Sequence, residues 1–390
     1  MKPTSRDRPQ VLLVDQPVQR FQKRGVPAES PTLSDPTPAA GAAPPGPLLL
    51  ASPGFAAWLS EAQVSLALST YQAGRIIFLG QKPDGTLRAH ERFLDHCQGI
   101  WTDGQTLWAS SKSILWRFVN DLPPGSGTAQ GADRRFAPRE GRVTGRLDIH
   151  DIGVGRMGEM AVPGPIFVNT LHNGLATVSD AASFTPLWRP PFISEWVAED
   201  RCHLNGLAMG EEGPAFVTAI SRSDVADGWR ERRVDGGVVV DVPSGEIVGS
   251  GLSMPHSPRL REGRLWLLNS GQGEFGFIDP AEGRFTPVAF CPGYARGLAF
   301  IGRWAVIGLS RPRQNQTFAG LPLAERLTAK DAEPRCGLMV VDLTTGRTVH
   351  WLRFEHTIDE LYDVAVLPGV RQAEAIGFRD EEIERAVTMG

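Results

Sequence analysis

Cysteine is scarce in this chain. Four in 390 residues cannot make a disulfide framework for so long a protein, so free thiols and a cytoplasmic location are expected. A basic excess is also missing: the net charge is −4, which leaves no electrostatic footprint for nucleic acid or for an anionic membrane. Nor is there a long apolar run. The opening Met1-Lys2-Pro3-Thr4-Ser5-Arg6-Asp7-Arg8 leads into neither a secretory signal nor a transmembrane helix. Histidine is rare, with 8 in the whole chain. Glycine, by contrast, is abundant at 43 residues, as suits many tight turns between short strands.

Residues 1–53 are set apart by composition. Pro27 to Pro53 is largely Pro, Ala, Gly and Ser without a period, which predicts a flexible, disordered arm. Within it, Leu12-Leu13-Val14 is either a short docking strand or part of the loose tail. Residues 54–378 divide into strand–turn–strand pieces, and 379–390 form a C-terminal tail. One recurring piece is an apolar strand ending in Asp, a Gly-containing turn and a second strand, as in Val239 to Ile247, Phe277 to Phe285 and Val340 to Thr348. Between these hairpins stand apolar strands ending in small polar residues, among them Leu107-Trp108-Ala109-Ser110, Ile166-Phe167-Val168-Asn169 and Leu265-Trp266-Leu267-Leu268-Asn269. Four strands per unit, repeated radially, is the blade of a β-propeller. The stretch after Glu360 supplies an inner strand with no blade following it, and Ser65 to Phe93 supplies three outer strands with no inner strand before them. Together they predict an all-β, six-bladed β-propeller closed by strands from both chain ends.

Four of the eight histidines recur at even intervals. His96, His150, His203 and His256 are separated by 54, 53 and 53 residues, and each opens an inner-strand segment. Equivalent positions of successive repeats become neighbours in space, so a closed ring aims them at one axis. Tyr294 and Glu360 fill the two remaining places. Imidazole clustering suits late first-row metals, iron or copper before zinc or calcium, and leaves coordination positions open for redox or oxygen chemistry. The carotenoid-cleaving oxygenases offer a similar site design, four histidines on iron in a seven-bladed propeller. That is an analogy of design rather than of kinship. The metal-free alternative is a set of histidines bonded to neighbouring backbone around a wet channel. Beside His150, Asp148 and Asp151 are rival inward-facing groups. Glu360 either ligates or orients a ligand histidine, or pairs with Arg296; Tyr294 either donates a proton to substrate or packs in the channel. Cys97 and Cys202 alternate away from the axis and are expected to pack.

The loops leaving the second strands share a face with this ring. Asn169, Asn173 and Asn269 are candidate substrate contacts there, and His172 is a candidate proton carrier or added ligand. Arg311 and Arg313 are placed to hold a carboxylate or phosphate. The loop from Arg311 to Arg335 carries the helix-forming run Pro322 to Leu327 and reads as a lid. Trp188 and Pro190-Pro191-Phe192 make either an apolar wall or blade-edge packing.

From Tyr71 to Phe378 the chain resembles an uncharacterised bacterial protein family, a domain of unknown function. The strings that carry this are Leu171 to Val178, His203 to Ala208, Ser253 to Arg259, Pro292 to Phe300 and Gly308 to Arg313. That resemblance implies no activity. More distantly the chain is similar to six-bladed propellers of the gluconolactonase and strictosidine-synthase type, whose calcium-type sites use Glu, Asn and Asp where this ring is rich in histidine. The leading expectation is a metal-dependent enzyme, an oxidoreductase acting on a polar small molecule or peptide. The alternatives are a metal-dependent hydrolase or lyase of lactonase type, with His172 moving protons, and a non-catalytic propeller that binds a peptide or protein.

Overall fold

The computed structural model describes residues 10–13, 48–312, 319–355, 358–378 and 381–389. Six sheets stand around one axis, and each innermost strand packs on the innermost strand of the next sheet all the way round. The expected six-bladed propeller is therefore what the chain forms. Blade 1 is built from both chain ends: Asp363–Pro368 is its innermost strand and pairs antiparallel with Val64–Thr70, followed outward by Arg75–Gln81 and Leu87–Phe93. The innermost strands of blades 2 to 6 are Ile100–Thr102, Ile149–Gly155, Leu204–Gly210, Pro255–Arg261 and Tyr294–Ile301.

Two blades carry additional strands. On the rim of blade 2, Ala373–Ala375 pairs in parallel with Arg134–Val143. On blade 6, Leu48–Ala51 pairs with Arg347–Glu355, and Gln10–Leu13 pairs with Leu48–Ala51. Part of the N-terminal arm thus belongs to a sheet, and Leu12-Leu13 takes the docking-strand alternative; residues 14–47 lie outside the described residues. Among the described residues, no helix is long and apolar enough to cross a membrane.

Alternation along each strand gives every sheet two apolar faces, and each face meets the next blade. Six apolar clusters result, one per blade interface. Leu66, Leu79, Val306 and Phe354 join blades 6 and 1, while Ile166, Val168, Leu207 and Val217 join blades 3 and 4. Each fully buried aliphatic side chain contributes about 1.5–3 kcal/mol. Cys97 and Cys202 lie in two of these clusters, and burial pushes both thiols up. Trp188 and Phe192 pack at the edge of the cluster between blades 3 and 4, which settles them as blade-edge packing.

Hydroxyl groups supply a second repeated joint. Each donates from one blade to a carbonyl at the start of the next: Ser69 to Gln98, Ser110 to Ile149, Thr170 to Leu204, Ser270 to Ala295 and Ser310 to Leu361. Five of the six junctions carry this staple, so many small polar residues ending the second strands are structural.

Closer to the axis the blades alternate. Blades 1, 3 and 5 supply Asp363, Asp151 and Arg259, and each bonds to the inner strand of the following blade. Asp363 accepts from the Ile100 N–H at 3.1 Å, Asp151 accepts from the Leu207 N–H at 3.0 Å, and Arg259 Nε donates to the Leu298 carbonyl at 3.1 Å. The facing positions of blades 2, 4 and 6 are Gly99, Gly206 and Gly297. Glycine is required where the neighbour comes closest: a Cβ on Gly99 would lie 2.9 Å from the Asp151 Cα, and one on Gly297 would lie 2.6 Å from the Val364 nitrogen at a φ of 75°. Across the axis Arg259 meets Asp151 at 2.8 Å and Asp363 at 3.7 Å.

Burial and the Asp151 carboxylate push Asp363 up to about 7. A carboxyl raised in the folded state stabilises fully below its unfolded value of 3.8, and that contribution is lost as pH rises through about 7. The stability of the wild type relative to Asp363→Asn is therefore expected to fall as pH is raised from about 4 to about 7, read from urea unfolding at each pH. Arg259→Met leaves two buried carboxylates without their cation and is expected to cost about 3–5 kcal/mol by the same measurement.

Candidate active site

The even spacing of the histidines conceals two levels. His96, Asp148, His203 and Met254 share left-handed φ values of 53°, 52°, 51° and 47°, which marks them as equivalent positions of blades 2 to 5. Counted back from Gly297 and Asp363, Tyr294 and Glu360 hold the same place in blades 6 and 1. Two residues further on stand Gln98, His150, Asn205, His256, Arg296 and Tyr362, one per blade and all buried. His96 and His203 thus belong to an upper tier, and His150 and His256 to a middle one. The charged and glycine positions described above form the tier beneath. Register irregularities at the starts of the innermost strands in blades 3 to 6 re-aim the side chains between tiers. Asp148 and Asp151, the rivals of His150, occupy the flanking tiers.

The middle tier is knitted together. Gln98 Nε2 donates to the Tyr362 hydroxyl at 3.2 Å, and Asn205 Nδ2 donates to His256 Nε2 at 3.4 Å. The Arg296 guanidinium lies 4.7 Å from the Tyr362 ring centre and 5.1 Å from that of Tyr294. His150 is 4.9 Å from His203 and 5.4 Å from Tyr362, centre to centre. His150, His203 and His256 form an interacting trio, while His96 stands against Tyr71 at 4.8 Å. The chain has only three tyrosines, Tyr71, Tyr294 and Tyr362, and all of them lie in these tiers or against them.

The hydrogen bonds assign the tautomers. His150 Nδ1 meets the Asp148 carbonyl at 2.8 Å, and His256 Nδ1 meets the Met254 carbonyl at 2.8 Å. A carbonyl only accepts, so Nδ1 carries the proton in both. Thr170 gives its own proton to the Leu204 carbonyl and accepts from His150 Nδ1 at 2.7 Å. His203 Nδ1 meets both Asp200 oxygens, at 3.1 and 2.9 Å, and His96 Nδ1 meets Asp95 at 2.6 Å. Every ring histidine therefore has Nδ1 anchored, and in His150 and His256 the lone pair is on Nε2. Burial, followed by the charge of its histidine neighbour, holds His150 well below the usual imidazole range; burial and Arg296 do the same for His256. Burial raises Tyr362 well above the ordinary phenol, so its hydroxyl stays protonated. Among the described residues, no three His, Cys, Asp or Glu side chains stand close enough to form a ready metal cluster.

The other predicted residues are placed as follows. Glu360 is buried against Arg296 at 3.1 Å and accepts from the Gln72 N–H at 3.3 Å, the pairing alternative. Tyr294 is 5.6 Å from His256, with its hydroxyl 3.5 Å from Met254 Sδ. His172 lies in His150's own blade, on the turn after Gly164–Asn169 and outside the trio: its Nδ1 is 3.1 Å from Asn169 Oδ1 and its ring 5.0 Å from Phe184. Asn173 accepts from the Cys202 N–H at 3.0 Å and Asn269 from the Ser253 N–H at 2.7 Å, so both amides tie loops together. Arg311 pairs with Asp359 and Glu355 on the rim. Arg313 lies outside the described residues. The lid expectation gains a helix, Pro322–Ala329, whose Leu323 and Leu327 pack with Trp229, Met254 and Tyr294 beside the upper tier. Sequence reading missed Tyr362, Gln98, Asn205 and Arg296 as a tier; the rarity of tyrosine was the available signal for the first of them.

A propeller with a polar, histidine-rich axial end is the class that fold and site define. The chain belongs to the family described as "Domain of unknown function (DUF4915)", whose family model matches residues 53–376. No curated protein matches it. Among solved structures it is similar to a chain of a nidogen/laminin complex, at 12% identity and a TM-score of 0.47, covering 78% of this chain and 99% of that one. It is also similar to a functionally unknown protein from Desulfotomaculum acetoxidans, at 9% identity and a TM-score of 0.42, covering 78% and 99%. For virginiamycin B lyase from Staphylococcus aureus the values are 13%, 0.36, 68% and 74%. Likenesses at this level do not bear on function.

With both imidazoles held neutral, the ring proton signals of His150 and His256 are expected to stay flat in NMR as pH falls from about 8 through the ordinary histidine value of about 6.5. A depressed folded value also means the unfolded chain takes up protons first. Their contribution to stability is complete above about 6.5 and is lost as pH falls below it.

Proposed function

We propose that the protein is an enzyme working at this axial end, and that the Nε2 atoms of His150, His203 and His256 hold a late first-row metal ion, iron or copper, for the oxidation of a polar small molecule or peptide. The observation that carries the reading is the anchoring of every Nδ1 on a carbonyl or carboxylate. Metal-binding histidines are oriented in this way, because a fixed Nδ1–H leaves Nε2 as the donor. Neutral imidazoles also need no deprotonation before they ligate. A metal held there would take the place of the bond that Asn205 now makes to His256 Nε2. His96, outside the trio, serves the mouth of the site rather than the ion. The polar small molecule or peptide would meet the site beside the Pro322–Ala329 helix, whose Leu323 and Leu327 pack with Tyr294.

A second reading is favoured by one observation. Arg296 already places a buried cation beside two neutral histidines, which opposes a dication and suits acid–base chemistry on an anionic intermediate, with Nε2 of a histidine as the base and a tyrosine hydroxyl as the donor. The product class is then that of a hydrolase or lyase.

Elemental analysis of protein purified without a metal-binding tag separates the two. The metal reading expects about one iron or copper per chain, lost in His203→Ala and in His256→Ala while the fold persists by circular dichroism. Wild-type protein without stoichiometric metal, or variants that retain it, selects the acid–base reading.

A further inference from the structure

We propose that Asp200, gripped by Trp229, is the positioning residue that fixes His203 and makes its Nε2 the working nitrogen nearest to solvent. This rests on the axial reading above and holds for either of its chemistries. Both Asp200 oxygens lie within hydrogen-bond distance of His203 Nδ1, at 3.1 and 2.9 Å. Trp229 Nε1 donates to the same carboxylate at 3.0 Å, and its indole lies over the imidazole at 4.2 Å and 31°. The imidazole is thus held by its edge and by its face.

The segment carrying the carboxylate is itself held. Asp200 adopts a left-handed φ of 46°, which Asp reaches more readily than most side chains and which its surroundings fix here. Those surroundings are present: Glu199 and Asp200 donate their N–H groups to the Leu171 carbonyl at 3.1 and 3.0 Å, and Cys202 donates to Asn173 at 3.0 Å. The left-handed φ of His203 recurs at its equivalents in blades 2, 3 and 5, and that of Asp200 recurs at Gly145 and Gly251 in blades 3 and 5; what blade 4 adds is a carboxylate where those two blades have glycine. Trp229 packs in turn on Leu323 and Leu327 of the covering helix.

Exposure separates His203 from its partners. Its side chain is 13% exposed and that of Asp200 20%, whereas His150 and His256 are buried. Blade 2 repeats the arrangement in looser form: Asp95 holds His96 with Tyr71 against the ring, yet these two side chains are 45% and 38% exposed and lack the indole bond. Used as a base, His203 Nε2 takes the substrate's proton while Nδ1–H stays on Asp200, and the carboxylate offsets the imidazolium charge. Used as a ligand, Nε2 would give its lone pair to a metal ion, made more basic by the same carboxylate.

The test is nitrogen NMR on metal-free protein labelled at histidine. Wild-type His203 is expected as the Nδ1–H form with Nε2 unprotonated; an Nε2–H form in the wild type overturns the proposal, and this arm needs no variant to fold. Asp200→Asn offers one acceptor oxygen to two donors, His203 Nδ1–H and Trp229 Nε1–H, and tolerates the left-handed backbone. It is expected to move His203 toward Nε2–H; a folded variant with the tautomer unchanged also overturns the proposal. Copper(II) added as a probe is expected to bind the variant about 10–100-fold more weakly than wild type. A wild type that binds no copper but shows the Nδ1–H form supports the positioning role while removing the metal reading.

Discussion

One cation at the axis holds the ring together. Arg259, from blade 5, reaches Asp151 of blade 3 and Asp363 of blade 1 across the axis, and each of the three also bonds to the inner strand of the blade that follows it. Six repeats are thereby tied by three charged residues, with glycine in the intervening blades to let the strands close. Asp363 sits on the strand that the C-terminal segment adds to an N-terminal blade, so the same cluster secures ring closure. Buried charges of this kind are a poor source of net stability compared with apolar packing. The six interface clusters supply that, and the charges specify which strand sits where.

The functional tiers inherit this arrangement. Because the inner strands are pinned beneath, the residues above them are brought to one end of the axis. His150 and His256 reach their neutral state through burial, and their tautomers follow from carbonyls two residues earlier, just ahead of their strands. His203 is oriented by another route, through a carboxylate and an indole contributed by loops. A site assembled by strand geometry on two sides and by loop contacts on the third combines rigidity with access from the covering helix.

Much of this was legible in the sequence. Strand patterning and turn residues gave the blades, and the unmatched strands at the two ends gave the closure. The histidine spacing gave the axial end of the molecule but blurred its depth. A repeat length of 53 or 54 residues cannot reveal that His150 and His256 sit two residues deeper than His96 and His203, because insertions in the outer loops alter the count without moving the axis. The left-handed residue that fixes the true register is His in two blades, Asp in one and Met in another, so no residue type marks it. The polar ends of the second strands were ambiguous for a related reason: serine and threonine serve blade stapling and substrate contact equally well by composition. Asp200 and Trp229 were invisible because a carboxylate three residues before a histidine and an indole twenty-six residues after it meet only when the loops fold.

The most direct measurement is a crystal structure of the protein grown with copper(II), with anomalous scattering recorded at the copper edge. The account predicts a single strong peak on the axis, within bonding distance of Nε2 of His150, His203 and His256. Copper found only at surface histidines, with the trio still bonded to its protein partners, would contradict it.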